Sequence, residues 1–307
     1  MNNKLQSTLF TALFATASLN TINAQEAVNE AAPSPEAEGA SEIGLQQVIE
    51  TRERPTVSAG YQFQYIGRTN PFFVDEAPAN AAESKVMLHT FMGSVSLNDE
   101  DSGRFLKDNK MGVIYQEVRY QEDALESFDY DTLSVFWNAE VDREIGTWTP
   151  SVGVGYTRIE IVEGNLDAFD GFFPYMALTK FYPDGDNSSY IATLKTSYGF
   201  TDVKGTNIDT DRLDSWTTRA MLGHNYLFRD DLGLRSNAYF EYSYFGNGSN
   251  SGRDDYTAGA GTSIYYVFNK YIVADLFAEY TRRFSSDDIF EYDNWDGGIK
   301  ISSMFQF

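Results

Sequence analysis

From Thr56 to Phe307, apolar side chains recur at every second position through one segment after another, and this period limits the fold more than any other feature of the sequence. Successive side chains of a strand point to opposite sides, so a period of two means extended segments whose two faces meet different surroundings. Twelve such segments are predicted, at 56–66, 85–97, 110–121, 130–142, 148–161, 172–182, 189–201, 213–228, 233–245, 255–268, 271–284 and 291–307. Most exceed the roughly five or six residues usual in soluble strands. They match the about 9–11 residues that a tilted strand needs to cross a bilayer. Pro71, Pro78 and Pro183 fall in connectors, and Pro150 and Pro174 at strand starts, where a missing N–H is tolerated.

Connector lengths add a second pattern. After odd-numbered strands come long polar loops (67–84, 122–129, 162–171, 202–212, 246–254, 285–290), and after even-numbered ones mostly tight turns, such as Pro183-Asp184-Gly185-Asp186-Asn187 and Asn269-Lys270. Long loops at one end and short turns at the other are the habit of membrane barrels. The faces agree. In the last strand Trp295, Gly297, Ile299, Ile301, Ser303, Phe305 and Phe307 share one side, apolar in the middle and aromatic at both ends, while Asn294, Asp296, Lys300 and Ser302 share the other. The expected fold class is therefore all-β: a closed antiparallel transmembrane barrel of about twelve strands over residues 55–307.

The final Phe305-Gln306-Phe307, a terminal aromatic on an amphipathic strand, resembles the C-terminal signature of Gram-negative outer-membrane β-barrel proteins. That resemblance implies insertion into the bacterial outer membrane by the barrel-assembly machinery, with Phe305 and Phe307 as the signal that is read. Twelve strands is also the size of small oligosaccharide porins, nucleoside channels, an outer-membrane phospholipase and autotransporter translocators, and no motif in the chain selects one of them.

The N-terminus reads as an address and a spacer. Lys4, the apolar stretch Leu5 to Leu19 and Ile22-Asn23-Ala24 have the layout of a secretory signal peptide over residues 1–24. Residues 25–54, rich in Ala, Glu and Pro, offer little to bury and are expected to be a disordered acidic periplasmic linker.

Composition excludes several chemistries. The formal charge of −22 rules out a nucleic-acid binder that works by neutralising phosphates. With no Cys there is no disulfide framework, thiolate metal site or cysteine nucleophile, and two histidines leave little for a His-rich metal cluster. No metal or other cofactor is expected. The acidic pairs Asp254/Asp255, Asp287/Asp288 and Asp209/Asp211 read as solvated loop charge rather than cation sites. His89 lies near the outer end of the second strand, where an omptin-like protease keeps its His, with Asp75 and Glu76 on the preceding loop. His224, between Leu222 and Tyr226, reads as an interfacial side chain. Neither has a Ser two residues later, so the phospholipase pattern is absent.

By the alternation, Glu117, Arg119, Glu140, Asp142, Lys180, Lys195, Arg219, Arg235, Glu241, Asp275, Glu279, Arg283, Asp296 and Lys300 are expected to point into the lumen. Lys180, Lys195, Arg219 and Arg235 would make a basic wall, faced by Glu117, Glu140, Asp142, Asp275 and Glu279, and the transverse field between them would orient small hydrophilic solutes. The opposite reading is that the charges pair and fill the lumen. The loop start Phe72-Phe73, with Asp75, is a candidate constriction. The leading expectation is a porin-like channel in contact with outer-membrane lipids. The alternatives are a non-conducting structural or adhesive barrel and, third, a surface hydrolase using His89.

Overall fold

The computed structural model describes residues 56–70, 84–97, 105–143, 145–162, 166–185, 187–204 and 210–307. The expected leader and linker, and Phe72, Phe73, Asp75 and Glu76, lie outside the described residues. Among the described residues twelve strands follow one another: β1 Thr56–Arg68, β2 Ser84–Leu97, β3 Leu106–Tyr120, β4 Tyr130–Val141, β5 Thr149–Ile161, β6 Leu166–Asp184, β7 Ser188–Val203, β8 Ser215–Arg229, β9 Leu232–Phe245, β10 Asp254–Asn269, β11 Ile272–Ser285 and β12 Tyr292–Gln306. Each pairs antiparallel with the next, and β12 pairs with β1 to close the barrel. Closure gives every strand a partner on both sides, which is what permits polar backbone to cross lipid.

Two segments depart from the expected boundaries. β3 begins at Leu106, with an irregularity between Lys107 and Lys110 that absorbs the early start. β6 begins at Leu166 and takes most of the expected 162–171 loop, so Pro174 sits inside the strand instead of at its start. Pairing between β6 and β7 is interrupted there, resuming at Phe172↔Phe200 on one side and Tyr175↔Ser197 on the other. A residue without an N–H cannot extend that ladder, and Pro174 keeps its place through β5, opposite Val154.

One end of the barrel carries the tight turns 142–148, 185–187, 230–231 and 270–271 together with the longer 98–105, and the other carries the longer connections. Gly185 holds φ at +75° in its turn, a conformation that L side chains rarely adopt. At the loop end, Asp129 is buried under its connector, and its Oδ1 accepts the Tyr120 N–H at 2.8 Å. Burial pushes this carboxyl above its ordinary range, against the pull of that hydrogen bond and of Arg119.

The outer surface is oily. Val113, Val135, Met176, Leu222, Phe240, Ile264, Leu276 and Ile299 are all exposed at mid-strand. Aromatics mark both margins: Trp216, Tyr244, Tyr256 and Trp295 toward the loops, and Tyr190, Tyr226, Phe268 and Phe305 toward the turns. A continuous apolar belt of this extent is not sustained against water; with two aromatic girdles it is the face of a barrel set in a bilayer.

Candidate functional site

The interior is the candidate site, and its two sides are built from different chemistry. From β9 round to β1 the inward side chains form a buried ionic wall. Arg68 makes a bidentate pair with Asp296, through Nε at 3.0 Å and Nη2 at 3.1 Å. Asp275 accepts from Arg235 at 3.2 Å and faces Lys300 at 3.8 Å, and Asp255 lies between Arg253 at 3.2 Å and Arg283 at 3.9 Å. Glu241 approaches Arg219 to 4.0 Å. The side chains of Asp275 and Lys300 retain 0% and 1% exposure. Taking such charges out of water is costly unless partners are held in good geometry. The register supplies that geometry, with Asp275 directly opposite Lys300 and Arg219 directly opposite Glu241.

Aromatic rings seat the cations. The Tyr239 ring lies on Gly259 of the neighbouring strand, where a Cβ would overlap it, and the Arg219 guanidinium stacks 4.0 Å from the ring centre. The same layering recurs as Gly233, Tyr265 and Arg235 at 3.9 Å, and as Gly153, Tyr175 and Lys195 at 4.6 Å. Glycine leaves room for the ring, and the ring face attracts the cation. Alternation in the sequence places the cations inward; the seats beneath them depend on cross-strand register, which alternation does not reveal.

The other side, β2 to β8, is neutral and small or apolar over most of its length. Val86, Leu88, Val118, Tyr120, Tyr130, Ile159, Phe169 and Val203 belong to one contiguous buried cluster in the loop-end half of the lumen, which reaches across to Ile66 of β1 and Phe245 of β9. Phe169, Phe245, Val86 and Val203 have no exposure at all. A broad aqueous bore at that level would leave inward side chains wet. Toward the turn end the lining changes: Ser94, Ser96, Lys110, Glu140, Thr193, Lys195, Thr217 and Arg219 are all partly exposed. The solvated part of the lumen is thus the turn-end half, along β2 to β4, β7 and β8.

Several expected positions need correction. Glu117 and Arg119 alternate with the inward Gln116, Val118 and Tyr120, so they face outward. Arg119 pairs there with Asp131 at 2.5 Å, and the Tyr115 hydroxyl donates to Asp131 at 2.8 Å. Lys180 also faces outward, opposite Ala192, with its ammonium 4.4 Å from the Tyr182 ring at the turn-end margin, where a long cationic side chain can reach the interface. Asp142 lies past the end of β4, in an exposed turn, and its N–H donates to the Phe105 carbonyl at 2.9 Å. Asp255 is neither loop nor solvated: it sits in β10, buried between two arginines. The separate acidic wall therefore dissolves. Glu140 remains inward, while Asp275 and Glu279 stand on the same side as the cations, within the ionic wall.

Lys195, Arg219, Arg235, Glu241, Arg283, Asp296 and Lys300 are inward as expected. Arg68, Lys110 and Arg253 join them, beyond the expected set. Arg68 lies within the expected 67–84 loop, yet its spacing from Gln62, Gln64 and Ile66 marks it as the next inward position of β1.

His89 faces outward, its ring centre 5.2 Å from Phe63 and its Nδ1 2.8 Å from the Tyr61 hydroxyl. It has no access to the lumen. His224 is at the outward turn-end margin, stacked on Tyr190 at 4.5 Å with Nε2 3.1 Å from the Ser188 hydroxyl. Phe305 stacks on Tyr271 at 5.1 Å, and the Phe307 N–H donates to Val57 at 2.9 Å, so the terminal aromatics lie on the outer face beside the β1 seam.

A fence of outward charges runs along the loop-end margin on the β3 to β7 side. Arg158 pairs with Glu160 at 2.7 Å, and Lys204 with Asp170 at 3.1 Å and with Asp202. Lys204 lies beyond β7, and these two carboxylates hold its ammonium above the usual lysine range.

No protein-family model matches the chain, and no curated protein matches it. Among solved structures, an outer membrane channel from Pseudomonas putida F1 aligns over 83% of this chain and 97% of that one, with 11% identity and a TM-score of 0.50. The KdgM porin in complex with disordered oligogalacturonate covers 78% and 97% at 11% identity and TM-score 0.40. The translocator domain of the autotransporter NalP from Neisseria meningitidis covers 83% and 90% at 15% identity and TM-score 0.40. The first of these likenesses, at its low identity, speaks to fold alone, and the fold agrees with the oily, girdled exterior.

The fold is that of the outer-membrane β-barrels.

Among the described residues of this barrel, no group of three or more His, Cys, Asp or Glu is placed to hold a metal ion. What the interior offers is charge on a rigid wall and, beside it, a half-solvated polar lining.

Proposed function

We propose that the barrel is a porin-like channel for small hydrophilic solutes, held shut at the loop end in this conformation. The observation that supports this reading is the partly exposed polar lining from the turn end to mid-height, which a barrel filled for strength alone has no need to keep wet. The buried apolar cluster at the loop end acts as the closure, since a narrow apolar stretch excludes water and ions. That same cluster favours the second reading, a non-conducting structural barrel. In neither reading is the protein an enzyme, with His89 turned toward lipid. Residues 1–24 then serve as the export leader and 25–54 as a periplasmic linker, which puts the tight turns in the periplasm. Phe305 and Phe307 are offered to the barrel-assembly machinery.

Planar-bilayer recording of the purified barrel and of Phe169→Ala separates the two readings. A channel shows infrequent openings in the wild type and markedly more in the variant, because the substitution hollows the closure. Silence in both proteins, with the barrel folded, would leave the structural reading in place.

A further inference from the structure

We infer that the lumen holds a binding site for small carboxylate- or phosphate-bearing anions, centred on Lys195 and Arg219. The inference deepens the channel reading by naming what the solvated lumen takes. The two side chains stand directly opposite each other on β7 and β8, both pointing inward. Like charges at facing positions of neighbouring strands repel, and each is held in place by an aromatic seat, Lys195 on Tyr175 and Arg219 on Tyr239. Both remain partly exposed, unlike the buried Arg235 and Lys300. Glu241 pairs with Arg219 at 4.0 Å, on the side away from Lys195. A doublet of seated, water-reached cations is a ready acceptor for an anion that can bridge them, and a planar carboxylate or a phosphate presents oxygens to both the ammonium and the guanidinium.

The test is calorimetric titration of the full barrel in detergent micelles with succinate and, separately, inorganic phosphate, against chloride at matched ionic strength. Saturable heat with either probe is expected, and which probe binds tells carboxylate from phosphate preference. Lys195→Gln should weaken the affinity about tenfold or more, as expected for losing one charge-assisted contact, while Lys195→Arg should retain it. Folding of each variant is checked by the heat-dependent shift in gel mobility. Heat no greater than with chloride, or a Lys195→Gln barrel that binds like the wild type, overturns the site. Binding in a barrel that never conducts would keep the site and discard the channel; conduction without binding would do the reverse.

Discussion

The two sides of the lumen fill similar space by opposite means. From β9 to β1 the interior is packed with ion pairs held at 3 to 4 Å and sealed from water. From β2 to β8 its loop-end half is packed largely with Val, Leu, Ile, Phe and small residues, and its turn-end half is left wet. The difference teaches where rigidity and where passage reside. A buried ionic network fixes register, because every charge must meet its partner or cost several kcal/mol. An apolar layer has no such demand and can rearrange, as a closure must. The outer surface mirrors the split: the loop-end margin is aromatic along β8 to β12, with Trp216, Tyr244, Tyr256 and Trp295, and carries the charged fence along β3 to β7.

Substitutions can break this contrast, and the largest effect is expected in the ionic wall. Asp275→Ala strands Arg235 and Lys300 in a dry site and should cost about 3–5 kcal/mol, read as a lower midpoint in urea unfolding of the folded band on gels. Next comes Gly259→Ala, whose methyl group would overlap the Tyr239 ring and unseat Arg219. Overpacking of this kind costs about 1–3 kcal/mol, and near-neutral behaviour would show that the seat is loose. On the neutral side, Ser134→Ala removes one hydrogen bond to Thr157 at 2.9 Å and should cost about 1 kcal/mol. A loss as large as that of Asp275→Ala would erase the contrast.

The smallest effect concerns pH. Burial raises the Asp129 carboxyl above its ordinary 3.8. A group with a raised native pKa contributes stability that is full below its unfolded value and is lost as pH rises through its folded one. Asp129→Asn, which keeps an acceptor for the Tyr120 N–H, should flatten that part of the pH profile just above the ordinary carboxylate range. An unchanged profile would mean that the carboxyl is not perturbed.

Much of this fold could be read from the chain. The strands from β7 to β12 have one plainly apolar face, so Lys195, Arg219, Arg235, Asp275, Glu279 and Lys300 could be turned inward from alternation alone. β3 and β6 resisted because both of their faces are largely apolar: inward Ile114 and Val118 against outward Met111 and Val113, inward Tyr175 and Ala177 against outward Met176 and Leu178. There, taking charge as the mark of the inside misplaced Glu117, Arg119 and Lys180, which sit at bilayer margins where charge is tolerated outside. The apolar layer within the lumen was invisible for the same reason, since it inverts the rule that membrane barrels are oily outside and polar within. The aromatic seats were hidden because each joins residues on neighbouring strands, such as Tyr239 and Gly259, and depends on register.

The absence of cysteine from the natural chain allows single cysteines to be introduced on a clean background. The most direct measurement is therefore labelling of Thr193→Cys, Ser302→Cys and Leu222→Cys with a charged, membrane-impermeant maleimide in vesicles whose turn ends are reachable. Thr193→Cys should react, while Ser302→Cys, sealed in the ionic wall, and Leu222→Cys, turned to lipid, should stay unlabelled. Fast labelling at Ser302→Cys with none at Thr193→Cys would contradict a wet side and a dry side within one barrel.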